Sequence, residues 1–251
     1  SGPPLLLIMG MSGTAKHWGE PFLESLGEDF EVITYNHRGV GQSSPVEEKF
    51  TIAQLASDAD NLLSALEIDS AHVMGISMGG MVAQELALAH PERIRTLVLG
   101  CTYCGGPGAV QAGQSVIQRL AEAMSSGDRE RAIRTAWEVN VSPEFAADAE
   151  AYAAFLHVGL RNMVAVPVIL EQMQAIIAHD TSDRLSSLEP PTLVIHGTLD
   201  EMLPVANGRL IGELIPGSQL EILENVGHMF FWEQPSHSVE LVRAHAASHV
   251  R

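Results

Sequence analysis

Cysteine, aromatic residues, basic charge and long apolar runs are all scarce in this sequence of 251 residues. Cys101 and Cys104 are the only two cysteines, too few for a disulfide-stapled secreted domain, and they stand in CxxC spacing. No second pair and no neighbouring histidine cluster completes a four-ligand zinc site. Two ordinary thiols in a reducing, cytoplasmic location are therefore expected. Lysine and arginine number 14 against 31 acidic residues, a formal net charge of −17 with histidine neutral. Such a surface repels phosphate backbones and anionic lipid, so neither nucleic acid nor a membrane is an expected partner. The longest early apolar run, Leu5 to Met11, falls far short of the ~20 residues needed to cross a bilayer. No basic leader with an apolar stretch precedes it.

What is present is material for a core. Hydrophobic residues make up 46% of the chain and charged residues 18%, with a mean hydropathy of +0.11, which excludes intrinsic disorder. Short apolar runs alternate with helical patterns. Strands are expected at Leu5–Met9, Glu31–Tyr35, Ala71–Ile76 and Ile94–Leu99. Helices are expected at His17–Gly27, from Thr51 as N-cap, and at Met78–Ala89. This alternation implies right-handed βαβ units and a parallel sheet.

After Gly100 the strand pattern stops. Helical periodicity alone fills the chain to Leu188, near Ala109–Ser125, Asp128–Asn140, Pro143–Val158 and Pro167–His179. Strand character returns at Pro191–Ile195 and Gln219–Leu223, with helices near Val205–Leu214 and from Ser236. The expected architecture is an α/β core of residues 1–100 and 189–251, interrupted by an all-helical cap over residues 101–188.

The chemistry-bearing pattern is Gly75-Ile76-Ser77-Met78-Gly79-Gly80, a G-x-S-x-G run between an expected strand and an expected helix. A nucleophile there needs clear space around a sharp turn, which Gly75 and Gly79 supply. The helix opening at Met78 favours negative charge developing at the same spot. A serine hydroxyl also needs a base. In the chain order serine, acid, histidine, only His228, His237, His245 and His249 lie late enough. The last three fall in the terminal helix, whereas His228 follows Gly227 in a strand-exit loop, so His228 is the expected base. Asp200, in the loop after Pro191–Ile195, is the expected orienting acid, with Glu201 as the fallback. After the fourth strand, at Cys101–Cys104, no carboxylate competes for that role. The expected oxyanion donors are the N–H groups of Met78 and of Met11, the latter in the loop after the first strand.

With these residues in place, the sequence resembles the α/β-hydrolase superfamily, in its branch of small cap-bearing serine hydrolases. That branch includes 3-oxoadipate enol-lactone hydrolases, cofactor-free haloperoxidase-type esterases and meta-cleavage-product hydrolases. The resemblance rests on Met9-Gly10-Met11, His37 to Ser43, Gly75 to Gly80, His90 to Arg93, Gly197 to Pro204 and Asn225 to His228. It spans nearly the whole chain outside the helical insertion. Three departures are visible. Met9 replaces the usual histidine before the oxyanion glycine, Asn36 replaces a common aspartate, and the family's N-terminal β-hairpin has no counterpart before Leu5.

The resemblance implies hydrolysis of a small carboxylic ester or lactone through a Ser77–His228–Asp200 triad and an acyl-enzyme. C–C bond hydrolysis and perhydrolysis would use the same residues, and a non-catalytic ligand-binding module would keep only the fold. Ser77 sets the chain apart from the dehalogenases and epoxide hydrolases of the superfamily, which use an aspartate. No G-x-G-x-x-G opens the first βα unit and no metal-ligand spacing appears, so neither cofactor nor metal is expected. For substrate binding, Arg161 is singled out as the only charged residue from Phe155 to Leu170. A guanidinium in apolar surroundings needs an acceptor, such as a substrate carboxylate.

Overall fold

The computed structural model describes residues 2–249, and six strands in it form one sheet. The strands are β1 (Pro4–Ile8), β2 (Glu31–Thr34), β3 (Ala71–Ile76), β4 (Ile94–Gly100), β5 (Thr192–Gly197) and β6 (Gln219–Leu223). Their order is β2-β1-β3-β4-β5-β6, and every neighbouring pair is parallel. Parallel neighbours need crossover connections, and the helices that make them cover both faces. Consequently β3 is buried along its whole length. At one edge lies β2, which pairs with β1 and carries an exposed Glu31.

Period-two alternation sorts each strand between two cores. Leu6 and Ile8 of β1 pack with Leu55, Ala59 and Leu63 of α2 (Ile52–Ala65) and with Met81, Val82 and Leu86 of α3 (Met78–Ala89). Leu5 and Leu7 face the other way, toward Phe22 and Leu26 of α1 (Glu20–Gly27) and the C-terminal helix at Pro235–Ala247. Thr51 N-caps α2 as expected, accepting from the Gln54 N–H while Gln54 reaches back to the Thr51 N–H.

Between β4 and β5 the described chain contains helices and no strand. These are α4 (Gln114–Ser125), α5 (Arg129–Asn140), α6 (Pro143–Ala146), α7 (Ala149–Arg161) and α8 (Val166–Ile177). After β5 come α9 (Ala206–Leu214), then β6, α10 (Phe230–Glu233) and α11 (Pro235–Ala247). No single helix among the described residues is long and apolar enough to cross a membrane.

Two expected helices divide. Pro143–Val158 breaks into α6 and α7 because Asp148 N-caps the second, accepting from Glu150 and Ala151 N–H groups. His17–Gly27 breaks at Gly19, whose φ of +79° ends a short 3₁₀ turn, and a Cβ there would press on the Trp232 indole. Helix-surface spacing, which would pair Arg134 with Glu130 or Glu138 and Arg119 with Glu122, does not find the partners of these arginines of the insertion. Arg134 lies over the Tyr152 ring at 4.0 Å, and Arg119 reaches Glu138 at 3.4 Å rather than Glu122.

Burial of imidazoles gives the fold an acid-labile component. His72 sits between strands with Nδ1 2.8 Å from the Thr96 hydroxyl, and His179 is packed beside Tyr103. Burial is the main reason both are pushed down from 6.5 to about 4. The unfolded chain takes up these protons as pH falls through 6.5, whereas the folded chain resists until about 4. Their contribution to stability is therefore complete above the first value and lost toward the second. The urea midpoint is expected to fall between pH 7 and pH 4.5, and less steeply in a His72→Gln/His179→Gln variant. Equal slopes in the two proteins would refute this assignment.

Candidate active site

The turn from β3 into α3 is the most constrained piece of backbone in the chain. Ser77 has φ +52° and ψ −125°, a conformation that L-residues rarely adopt. Its N–H donates to the Gly100 carbonyl at 3.0 Å, and its carbonyl accepts from the Gly80 N–H at 2.9 Å and the Thr102 hydroxyl at 2.7 Å. The glycines are steric requirements. A Cβ on Gly75 would overlap the Gly79 carbonyl, and one on Gly79 would overlap the Ile8 carbonyl. On the other side, a Cβ on Gly10 would lie 3.1 Å from the Ser77 Cβ, so the loop after β1 passes directly against this serine. The Met78 N–H belongs to the first turn of α3, where no intrahelical acceptor exists.

Asp200 follows β5 and is 5% exposed. Its Oδ1 accepts from the Met202 and Leu203 N–H groups at 2.9 and 2.8 Å. Its Oδ2 faces His228 Nδ1 at 2.7 Å and His196 Nε2 at 3.1 Å. Burial alone would push this carboxyl up, but the neighbouring His228 and His196 outweigh it and hold Asp200 well below the usual carboxylate range. A charged Asp200 can only accept, so His228 Nδ1 carries the proton and Nε2 is left as the basic nitrogen. Glu201 points elsewhere. It is exposed and lies 3.8 Å from Arg119 of α4, so the two carboxylates of this loop are distinguished by their surroundings.

The loop after β1 is held from both sides. His37 Nε2, from the loop after β2, donates to the carbonyl of Met9 at 2.9 Å. The Ser12 N–H donates to Gln172 Oε1 of α8 at 2.9 Å. Met11 lies between these two anchors and follows Gly10, the residue that packs against Ser77. Arg161, by contrast, is exposed at the last residue of α7. A cation at a helix C-terminus in water is adequately stabilised there. The apolar residues beside it in sequence therefore leave the guanidinium exposed.

Comparison with known proteins gives the family. Residues 3–235 match the alpha/beta hydrolase fold family. The chain belongs to that family. The hydrolase is 30% identical over 234 residues to RutD of Azorhizobium caulinodans, named provisionally as a carbamate hydrolase, covering 92% of this chain and 86% of that one. It also superposes on the esterase RhEst1 from Rhodococcus sp. ECU1013 with a TM-score of 0.84 and 27% identity, covering 99% and 92% of the two chains. Est816, described as an N-acyl homoserine lactone degrading enzyme, gives a TM-score of 0.78 and 27% identity, with 97% and 93% covered.

Three residues around the site of this hydrolase escape sequence reading. His196 is buried completely and donates to the Leu203 carbonyl at 2.6 Å as well as facing Asp200. Cys101 has φ +40°, and its sulfur lies within 4.8 Å of the facing atoms of both Asp200 and His228. Burial, then the Asp200 charge, pushes its thiol far up, so it sits there as a neutral group, and no disulfide joins it to Cys104. Glu233 accepts from the Gly227 N–H at 2.7 Å, next to His228. Each is recognisable only once strand ends are brought together. His245, in the terminal helix, is buried, with Nε2 3.1 Å from the Pro191 carbonyl.

The glycine packing has a direct test. Gly79→Ala is expected to destabilise the protein strongly, because the clash is with backbone that cannot rotate away. Gly212→Ala in α9, where a Cβ meets Leu220 no closer than 3.5 Å, should instead be neutral or stabilising by about 0.5–1 kcal/mol. Similar denaturation midpoints for the two variants would count against the steric account.

Proposed function

We propose that this hydrolase cleaves small carboxylic esters or lactones through an acyl-enzyme, with Ser77 as nucleophile, His228 as base and Asp200 as the group that orients the base. The observation that carries the reading is the 2.7 Å contact between His228 Nδ1 and a buried, charged Asp200, at the same sheet edge as the strained Ser77 turn. The Ser77 hydroxyl attacks the acyl carbonyl as its proton passes to His228 Nε2. Negative charge on the carbonyl oxygen is received by the Met78 and Met11 N–H groups, which need not reorganise. The imidazolium, stabilised by Asp200, then protonates the leaving oxygen, and water activated by the same histidine releases the acid. Residues 101–188 serve as a cap that shapes the acyl pocket, since Gln172 of α8 already touches the loop after β1. Two free, buried thiols suit a reducing, cytoplasmic location.

Similarity to an esterase and to a lactone-degrading enzyme supports the substrate class. A carbamate is the second reading, favoured by the 30% identity to RutD, and it would pass through the same carbonyl attack. A panel of p-nitrophenyl esters, an acyl lactone and a carbamate separates these readings by kcat/KM. On the best substrate, Ser77→Ala and His228→Ala should each lower kcat by roughly 10³–10⁶, because the two act as a unit. Asp200→Asn should cost about 10⁴, while Glu201→Gln stays within about twofold, losing only an exposed ion pair. More than a tenth of the activity surviving in Ser77→Ala would overturn the nucleophile assignment.

A further inference from the structure

The backbone that carries His228 is fastened on both sides, and one carboxylate makes much of the fastening. Gly227, just before the histidine, donates its N–H to Glu233 Oε1 at 2.7 Å. Met229, just after it, donates to the Asn140 carbonyl at the end of α5 at 2.8 Å. The same Glu233 Oε1 accepts from the Ser142 N–H at 3.0 Å, and Oε2 accepts from the Ser142 hydroxyl at 2.5 Å. Ser142 in turn N-caps α6, accepting from the Phe145 N–H at 3.2 Å. Contact between the two segments is close, since a Cβ on Gly227 would come within 2.7 Å of the Val141 carbonyl carbon. Residues 140–142 lie in the middle of the helical insertion, 86 or more positions before the histidine in the chain (228 − 142 = 86).

We infer that Glu233 is a positioning residue for His228, and that through Ser142 it makes the helical insertion part of the device that holds the base. Three donors converge on one partly buried carboxylate, and two of them come from the insertion. Burial raises the Glu233 pKa, the opposite of what a simple surface carboxylate needs, and the three donors counter that effect. Both backbone N–H groups point at Oε1, while the group facing Oε2 is a hydroxyl that can donate or accept. An amide could therefore take over every one of these bonds, with its oxygen in the Oε1 place and its NH₂ donating to Ser142. The role is geometric, and it does not require the charge. Without Glu233, the Gly227 N–H loses its acceptor and the histidine loop loses its tie to Ser142. A shift of about 1 Å at a reacting group is worth on the order of 100-fold in rate.

The inference rests on His228 being the base, and kinetics on the best p-nitrophenyl ester can separate the two claims. Glu233→Leu is expected to lower kcat by about 10- to 100-fold with little change in KM, and Glu233→Gln to restore most of the loss. In a His228→Ala background, Glu233→Leu should cause no further loss, because a residue that acts through the imidazole has nothing left to position. Ser142→Ala, the milder variant and the one that decides if Glu233→Leu fails to fold, should lower kcat several-fold. It should also be non-additive with Glu233→Leu where that variant folds. Wild-type kcat in a folded Glu233→Leu, or in Ser142→Ala if the former does not fold, overturns the inference. So does a Glu233→Gln no better than Glu233→Leu, or an undiminished Glu233 effect in the His228→Ala background. Full activity in His228→Ala would instead overturn the base assignment, and the inference with it.

Discussion

The close approach of bare backbone at the end of β3 is the constraint on which the rest of the site depends. Gly75 has no space for a side chain because the Gly79 carbonyl occupies it, and Gly79 has none because the Ile8 carbonyl does. These contacts press the first turn of α3 down onto β1 and leave Ser77 at the apex, with φ +52°. Strain of this kind costs on the order of 1–3 kcal/mol, and it persists only where the surroundings over-determine it. Here they do. The turn is bonded to Gly100 and Thr102 on the β4 side, and Gly10 lies against it on the β1 side.

A parallel sheet explains why everything else arrives at the same place. All six strands run the same way, so the loops after β1, β3, β4, β5 and β6 emerge along one edge. Met11, Ser77, Cys101, Asp200 and His228 each follow a different one of those strands. Their separations in sequence are large, but neighbouring strands are ~4.8 Å apart. Side chains at adjacent strand ends can therefore touch without any further arrangement. What the sheet does not supply is orientation. That comes from local bonds: two N–H groups and two imidazoles around Asp200, a histidine under Met9, a glutamate behind Gly227.

The division between what was legible in the sequence and what was not follows the same line. Strand ends and the turn at Ser77 were readable because apolar runs bounded by glycine have a local cause. β3 and α3 fall on the expected residues, as does the Thr51 cap. The sequence favours Asp200 over Glu201 only by placement within one loop, and what separates the two carboxylates in the structure is burial and partner. Arg161 is a further case, where exposure could not be read from its neighbours. Apolar neighbours along a helix surround a residue in sequence only, and the helix end leaves its guanidinium in water. The break of one expected helix at Asp148 was lost for a related reason, since a capping side chain inside a helical pattern reads as one more polar position on its exposed face.

The helical insertion is the element whose function depends most on tertiary contact. It joins the sheet edge at several separate places. Gln172 of α8 bonds the loop after β1, Tyr103 after β4 donates to the Ile176 carbonyl of α8, and the 140–142 segment grips the histidine loop. Val168, Gln172 and Ile176 are spaced four apart, so one stripe of α8 faces the core. That stripe meets the loops after β2, β1 and β4 in turn, because Val168 also packs where a Cβ on Gly39 would come within 2.9 Å of it. In the sheet order β2-β1-β3-β4, a helix touching the ends of β1 and β4 must pass the end of β3 between them. The same insertion therefore passes the end of β3 with one helix, and its 140–142 segment bonds the stretch that carries His228 and Glu233. On the proposed reading, a change of sequence there made to alter the pocket would also act on the geometry of the base.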